Sequence, residues 1–89
     1  MIDFSHANSN KDYRRQSIVS KDVAGQIASG NRNIMGVMIE SNLVAGAQKL
    51  EAGKPLVYGQ SITDACIAWP ETRSLLAELA ASVRARRSK

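Results

Sequence analysis

The sequence predicts a small α/β chain in which short strands alternate with helices. Three observations carry that prediction. A β-compatible start, Met1-Ile2-Asp3-Phe4, is broken by the polar stretch Ser5 to Asn10. Ile18, Val19, Val23, Ile27 and Ala28 then recur on one face of a 3.6-residue period. Ile34 to Ile39 is an unbroken apolar run, too short for a helix and not alternating, as in a strand covered on both faces.

Each element follows in order. The first strand ends near Ser5 and a polar loop follows it. A helix spans roughly 14 to 29, with Gly30 and Asn31 as its C-terminal stop. The second strand covers 34 to 39, so strand, helix and strand form a βαβ unit with a right-handed crossover. Residues 40 to 60 show no sustained period and hold Gly46, Gly53, Pro55 and Gly59. Loops of that length are usually functional or disordered. Leu43, Val44, Leu50, Leu56, Val57 and Tyr58 argue against disorder, since they can pack as a lid. Ser61-Ile62-Thr63-Asp64 reads as a capping box opening a short helix. Pro70 suits the start of a second one, with Glu71 in its first turn and Leu75, Leu76, Leu79, Ala80 and Val83 as its apolar stripe. Trp69 is the packing anchor expected where those two helices meet.

Two parallel strands make no stable sheet alone. The order fits the last two β/α units of a (β/α)8 barrel, which needs about 250 residues. The 89 residues are therefore read as one incomplete piece of a single barrel domain, residues 1–89. Hydrophobic residues at 44% and charged residues at 22% are an ordinary globular balance. A single cysteine excludes an internal disulfide framework and a Cys-rich zinc finger. No apolar run is long enough to span a membrane and no signal-peptide pattern opens the chain, so the expected setting is the cytoplasm. The net charge of +4 owes much to Arg84, Arg86, Arg87 and Lys89. Cations there complement a helix C-terminus, and no aromatic residues interleave with them, so neither nucleic acid nor membrane is expected as a partner.

Chemistry concentrates at three positions. His6 and Glu40 each follow directly on a strand and lie 34 residues apart, one βα repeat. Both then sit at the C-terminal mouth of neighbouring strands, where barrel enzymes keep their catalytic residues. Asp64 lies beyond the long loop, which can fold back over that mouth. One imidazole and two carboxylates are a partial shell for a divalent metal. Bland readings stand beside this: His6 as a loop hydrogen-bonder, Glu40 as a solvated strand-end carboxylate, Asp64 as the capping-box acid. Cys66, two helical residues after Asp64, would point about 200° away from it and reads as a small buried thiol. Lys11, Arg14 and Arg15 form either a solvated flank or an approach for an anionic substrate.

Three ordered motifs resemble class I 3-deoxy-D-arabino-heptulosonate 7-phosphate (DAHP) synthases, also called phospho-2-dehydro-3-deoxyheptonate aldolases. They are Asp3-Phe4-Ser5-His6-Ala7-Asn8-Ser9, Gly36-Val37-Met38-Ile39-Glu40-Ser41, and Tyr58 to Ile67, which contains Ser61-Ile62-Thr63-Asp64-Ala65-Cys66. The similarity covers essentially the whole chain and is closest to the feedback-regulated bacterial and fungal type. It implies a C-terminal fragment of a (β/α)8 barrel, namely strands 7 and 8 with their helices. It also implies a condensation of phosphoenolpyruvate with erythrose 4-phosphate that releases phosphate at the head of the shikimate pathway, the route to the aromatic amino acids.

By the same resemblance His6, Glu40 and Asp64 are ligands of a divalent metal (Mn, Fe, Co or Zn). That metal acts as a Lewis acid on the aldehyde oxygen of erythrose 4-phosphate. The methylene carbon of phosphoenolpyruvate attacks, water adds and phosphate leaves. The family's remaining ligand, a cysteine, its phosphate-binding Arg and Lys residues and its effector sites belong to upstream segments. The resemblance thus implies an isolated chain without activity. Its open strand edges imply a homo-oligomer, and a non-catalytic, self-associating structural module is the alternative reading.

Overall fold

The computed structural model describes residues 1–89 as β1 (Ile2–Asp3), a 3-10 turn (Tyr13–Arg15), α1 (Gln16–Ala28), β2 (Val37–Met38), β3 (Ser41–Asn42), β4 (Ile67–Ala68) and α2 (Trp69–Arg87). The first strand, first helix and second strand fall where the sequence puts them, and β1 pairs with β2 in parallel, Ile2 opposite Val37 and Asp3 opposite Met38. A second parallel pair joins β3 to β4, Ser41 opposite Ile67. The two pairs share one stretch of chain, residues 37–42, which turns from β1 as partner to β4.

Helix α1 ends as its sequence predicts. Asn31 N–H donates to Gln26 O at 3.1 Å and Gly30 N–H to Ile27 O at 2.9 Å, with Gly30 at φ 108°. That is a Schellman cap, which needs the left-handed residue glycine supplies. The buried face of α1 is Gln16, Ser20, Val23, Ala24 and Ile27. Ile18, counted in the apolar stripe, points outward. The core is Phe4, Val23, Ala24, Ile27, Ile34 and Leu79, with Ile2, Val19, Val37, Ile39 and Val83 packed against it. It lies between the β1–β2 ribbon and the two helices, which run against each other. Phe4, fully buried, is its centre.

Other expectations are corrected as well. No helix opens at Ser61: the Ser61 hydroxyl accepts from Thr63 N–H at 3.1 Å, a local turn, and Cys66 to Ala68 are drawn into pairing with Gly46 and β3. Only one helix closes the chain, so Trp69 has no helix junction to anchor; it stands 50% exposed in the first turn of α2. Pro70 and Glu71 do occupy that first turn. On α2 the buried stripe is Thr72, Leu75, Leu79 and Ser82, while Leu76 and Ala80 are exposed. The run Ile34 to Ile39 is not covered on both faces: Met35 is 88% exposed and Val37 to Ile39 are half-buried.

The long connection has a topological cause. Parallel strands cannot be joined by a tight turn, so the chain must travel back before β4 can align with β3. Residues 43–66 make that return without a helix. Two glutamines hold it: Gln48 donates to Val57 O and Gln60 O and accepts from Val57 N–H, and Gln60 donates to Ala45 O at 2.8 Å. Gly59 is at φ 79°, and a Cβ there would lie 2.7 Å from the Leu43 Cβ, so no other residue fits. The lid expected from the apolar residues does not form: Leu43, Val44, Leu50, Leu56, Val57 and Tyr58 are all exposed.

No helix is long and apolar enough to cross a membrane. The molecule measures 56 × 23 × 17 Å with a radius of gyration of 15.1 Å, against about 12 Å for a compact chain of this length. Because stability rests on one small cluster, Phe4→Ala is expected to cost about 3–5 kcal/mol. Trp69→Ala is expected to cost less than about 1 kcal/mol. Urea denaturation at fixed protein concentration measures both; equal losses would place Trp69 in the core after all.

Candidate metal centre

The site is built where β1 and β2 end side by side. Parallel pairing carries both chains in the same direction, so the residues leaving them emerge at one end. Beyond β1 the chain folds back tightly: Asp3 Oδ1 accepts from Ser5 N–H at 2.7 Å, Asn8 Nδ2 donates to Asp3 O, and Lys11 N–H donates to His6 O at 2.6 Å. The turn needs left-handed backbone at His6 (φ 52°), Asn10 (φ 54°) and Lys11 (φ 59°). Left-handed residues other than glycine cluster at functional sites.

That conformation aims the imidazole at two carboxylates. His6 Nε2 lies 3.2 Å from Glu40 Oε1 and 3.5 Å from Asp64 Oδ2. The three side chains come from three separate segments, and each offers one donor atom within 4.8 Å of the others. Glu40 is the sheltered member, its side chain 15% exposed, while Asp64 is open to solvent. The structure thus brings together all three residues singled out from the sequence. A divalent ion with bonds of about 2.0–2.2 Å separates neighbouring donors by about 3.0–3.5 Å. The two distances at Nε2 fit that spacing, and imidazole with carboxylates suits Mn, Fe, Co or Zn.

Two further residues shape the site. Asp3 Oδ2 meets His6 Nδ1 at 2.7 Å, which fixes the ring and leaves Nε2 for Glu40 and Asp64. This carboxylate–histidine pairing is the usual outer support of a metal-bound imidazole. Its only signal in the sequence was an acid three residues before the histidine. Lys11 lines the same cleft, about 250 Å³ bounded by Ser5, His6, Lys11, Glu40, Asp64 and Ala65. Arg14 is engaged instead by Asp12, Nε to Oδ1 at 3.0 Å. Cys66 is buried and outside the donor group, its thiol donating to Asp64 O. Asp64 and Cys66 are not helical, so the angular argument against their sharing an ion does not apply; burial disposes of Cys66 instead. That burial pushes its thiol pKa up, and the Glu40 charge adds to the effect.

Electrostatics follow the geometry. The hydrogen bond and the charge of Asp3 raise the His6 pKa, and Glu40 and Asp64 add to the rise. The same hydrogen bond, with the one from Ser5, lowers the Asp3 pKa.

This constellation places three side chains that could hold a metal ion at the mouth of paired parallel strands in an α/β chain. Comparison with known proteins is specific. The DAHP synthetase I family matches residues 1–77, and the chain belongs to that family. It is 60% identical over 87 residues to the Phe-sensitive phospho-2-dehydro-3-deoxyheptonate aldolase of Escherichia coli K12, covering 98% of this chain and 25% of that protein. The phospho-2-dehydro-3-deoxyheptonate aldolase of Corynebacterium glutamicum is 54% identical over 95 residues, covering 99% of this chain and 26% of that protein. The solved phospho-2-dehydro-3-deoxyheptonate aldolase of Francisella tularensis SCHU S4 superposes with a TM-score of 0.91 at 51% identity, over 97% of this chain and 25% of that one. The chain spans about a quarter of the length of these relatives. The neighbour is a TIM barrel, and the β/α order seen here is part of that architecture.

The ion-pair geometry fixes a pH dependence. A raised pKa in the folded state means that protonated His6 stabilises the metal-free fold fully below the ordinary imidazole pKa, and that this stabilisation is lost as pH rises through the higher folded value. Imidazole NMR titration of the metal-free chain is expected to give a midpoint above the ordinary value, and Asp3→Asn is expected to lower it. An unmoved midpoint in Asp3→Asn would remove Asp3 from the pairing.

Proposed function

We propose that residues 1–89 are the C-terminal β/α units, strands 7 and 8 with their helices, of one (β/α)8 barrel domain. That domain condenses phosphoenolpyruvate with erythrose 4-phosphate to DAHP and phosphate, the first step of the shikimate pathway to the aromatic amino acids. The observation that carries the reading is the convergence of His6, Glu40 and Asp64 from three segments onto one point, within a chain of the DAHP synthetase I family. These residues would hold a divalent ion (Mn, Fe, Co or Zn). Bound there, the ion supplies Lewis acidity toward the aldehyde oxygen.

The residues of this chain have separate tasks. Asp3 keeps the proton on His6 Nδ1, so that Nε2 presents its lone pair to the ion. Glu40, sheltered beside Cys66 and Ile67, brings a charge in a setting where Coulombic attraction is weakly screened. Asp64 closes the shell from the loop side and keeps it open to solvent. Lys11 in the cleft adds a positive charge beside a site that takes phosphorylated substrates. The two phosphates need more cations than this chain places in the cleft, so the isolated chain is expected to be inactive.

In the enzyme that carries this segment, His6→Ala, Glu40→Ala and Asp64→Ala are each expected to lower turnover by about 10²–10³-fold with an unchanged circular dichroism spectrum. The isolated 89-residue chain, given both substrates and Mn²⁺, is expected to consume no phosphoenolpyruvate beyond a protein-free control. Near-normal turnover of one variant removes that residue from the site.

Assembly follows from the surface. Met1, Met35, Leu50, Val57 and Tyr58 are more than half exposed, and the strand ribbons are two strands wide. Covering several hundred Å² of such surface at about 25 cal/mol per Å² favours association. The chain is proposed to form a homo-oligomer in the cytoplasm, with no nucleic-acid or membrane partner. The exposed apolar residues also favour a second reading, a self-associating module without chemistry, and activity in the longer enzyme separates the two. Sedimentation equilibrium at low micromolar concentration is expected to give a mass above that of one chain. A single well-folded monomer at every concentration would overturn the assembly.

A further inference from the structure

We infer that Gln16 is a positioning residue for Glu40, an inference that rests on the metal reading above. Gln16 is the first residue of α1 and is completely buried. Its amide makes two hydrogen bonds to one residue: Oε1 accepts from Glu40 N–H at 2.9 Å and Nε2 donates to Glu40 O at 2.9 Å. Only one of the two amide orientations satisfies both bonds.

Glu40 needs this support because of where it sits. Phe4 N–H donates to Met38 O, the last rung of the β1 ladder, and β3 begins only at Ser41. Glu40 O is also reached by Ile67 N–H at 3.0 Å, but the only partner of Glu40 N–H is Gln16. The side-chain amide therefore acts as a missing strand neighbour at the residue where the chain changes partners. Bonds to the groups on both sides of the Glu40 Cα fix the two peptide planes that flank it. They thereby set the direction of its Cβ, and the carboxylate ends 3.2 Å from His6 Nε2.

Glutamine meets this need where other residues do not. It carries an acceptor and a donor in one plane, without charge, on a chain long enough to cross from the helix to the strand. Its base is rigid, since Val23, Ala24 and Ile27 lock the same helix into the core. Ser20, one turn further on and equally buried, faces Glu78 at 3.5 Å. It provides a control for a polar lesion on the same face.

The test uses the 89-residue chain. Residue-resolved hydrogen–deuterium exchange reads the Glu40 amide, and the electron paramagnetic resonance signal of free Mn²⁺ reads metal affinity. Gln16→Met fills the space without either hydrogen bond. It is expected to speed exchange at Glu40 at least about tenfold and to weaken Mn²⁺ binding about 10–100-fold, the usual cost of losing an outer-shell partner. Exchange in the middle of α1 should stay as in the parent chain, and Ser20→Ala should change neither reading. If Gln16→Met does not fold by circular dichroism, Gln16→Asn, which withdraws the amide by one methylene, is read the same way. Unchanged Glu40 exchange, or faster exchange with unchanged Mn²⁺ affinity, overturns the role of Gln16. A parent chain that protects Glu40 but binds no Mn²⁺, like its His6→Ala variant, strikes the metal reading itself and with it the purpose assigned to Gln16.

Discussion

Everything at the site depends on the register of one parallel pair. Ile2 N–H to Gly36 O and Phe4 N–H to Met38 O, both 2.9 Å, align β1 with β2. A slip of one residue would turn every side chain of one strand to the opposite face. Phe4 would leave the core, and His6 and Glu40 would no longer emerge at the same height. The aromatic ring that holds the ribbon onto the helices and the imidazole that faces the carboxylates are two residues apart in the chain just beyond β1. Packing and chemistry are thereby set by the same two hydrogen bonds.

Much of this was legible in the residues. The period-3.6 stripe, the Gly30-Asn31 stop and the Pro70 start mark the two helices because capping and periodicity are local effects. His6 and Glu40 were legible for a similar reason: residues directly after parallel strands share one end of the sheet, whatever lies between them, whereas Asp64 was reached only through the long loop and the family motif. Tertiary pairing was not. Ser61 to Asp64 carry a helix-start pattern, yet Cys66 to Ala68 gain more from joining Gly46 and β3 than from starting a turn of helix. The buried faces were also read too narrowly. Gln16, Ser20, Thr72 and Ser82 are buried polar residues on apolar faces, and a hydrophobic pattern passes over them. Gln16 earns its burial through a backbone that no sequence window contains.

The lid failed for a different reason. Apolar residues between 43 and 58 imply a surface to cover, but composition alone does not say where that surface is. Here the loop is spanned by the amides of Gln48 and Gln60, and the apolar side chains point away. The core that does form is small and lies on one side of the ribbon. Such an arrangement suits a segment whose other faces meet further protein. The charged tail has a partly structural explanation: Arg86 Nη1 donates to Asn31 O and Ile34 O at 3.1 and 3.0 Å, tying the end of α2 to the turn before β2.

The left-handed backbone at His6 has an evolutionary consequence. A side chain at φ 52° carries a steric penalty of about 1–2 kcal/mol that glycine escapes. Folding alone would therefore favour glycine there, and at Asn10 and Lys11 in the same turn. At His6, glycine would relieve that strain only by giving up the ion pair with Asp3 and the imidazole itself. The turn is thus a place where selection for robustness and selection for chemistry pull in opposite directions, and the histidine found there records which of the two has prevailed.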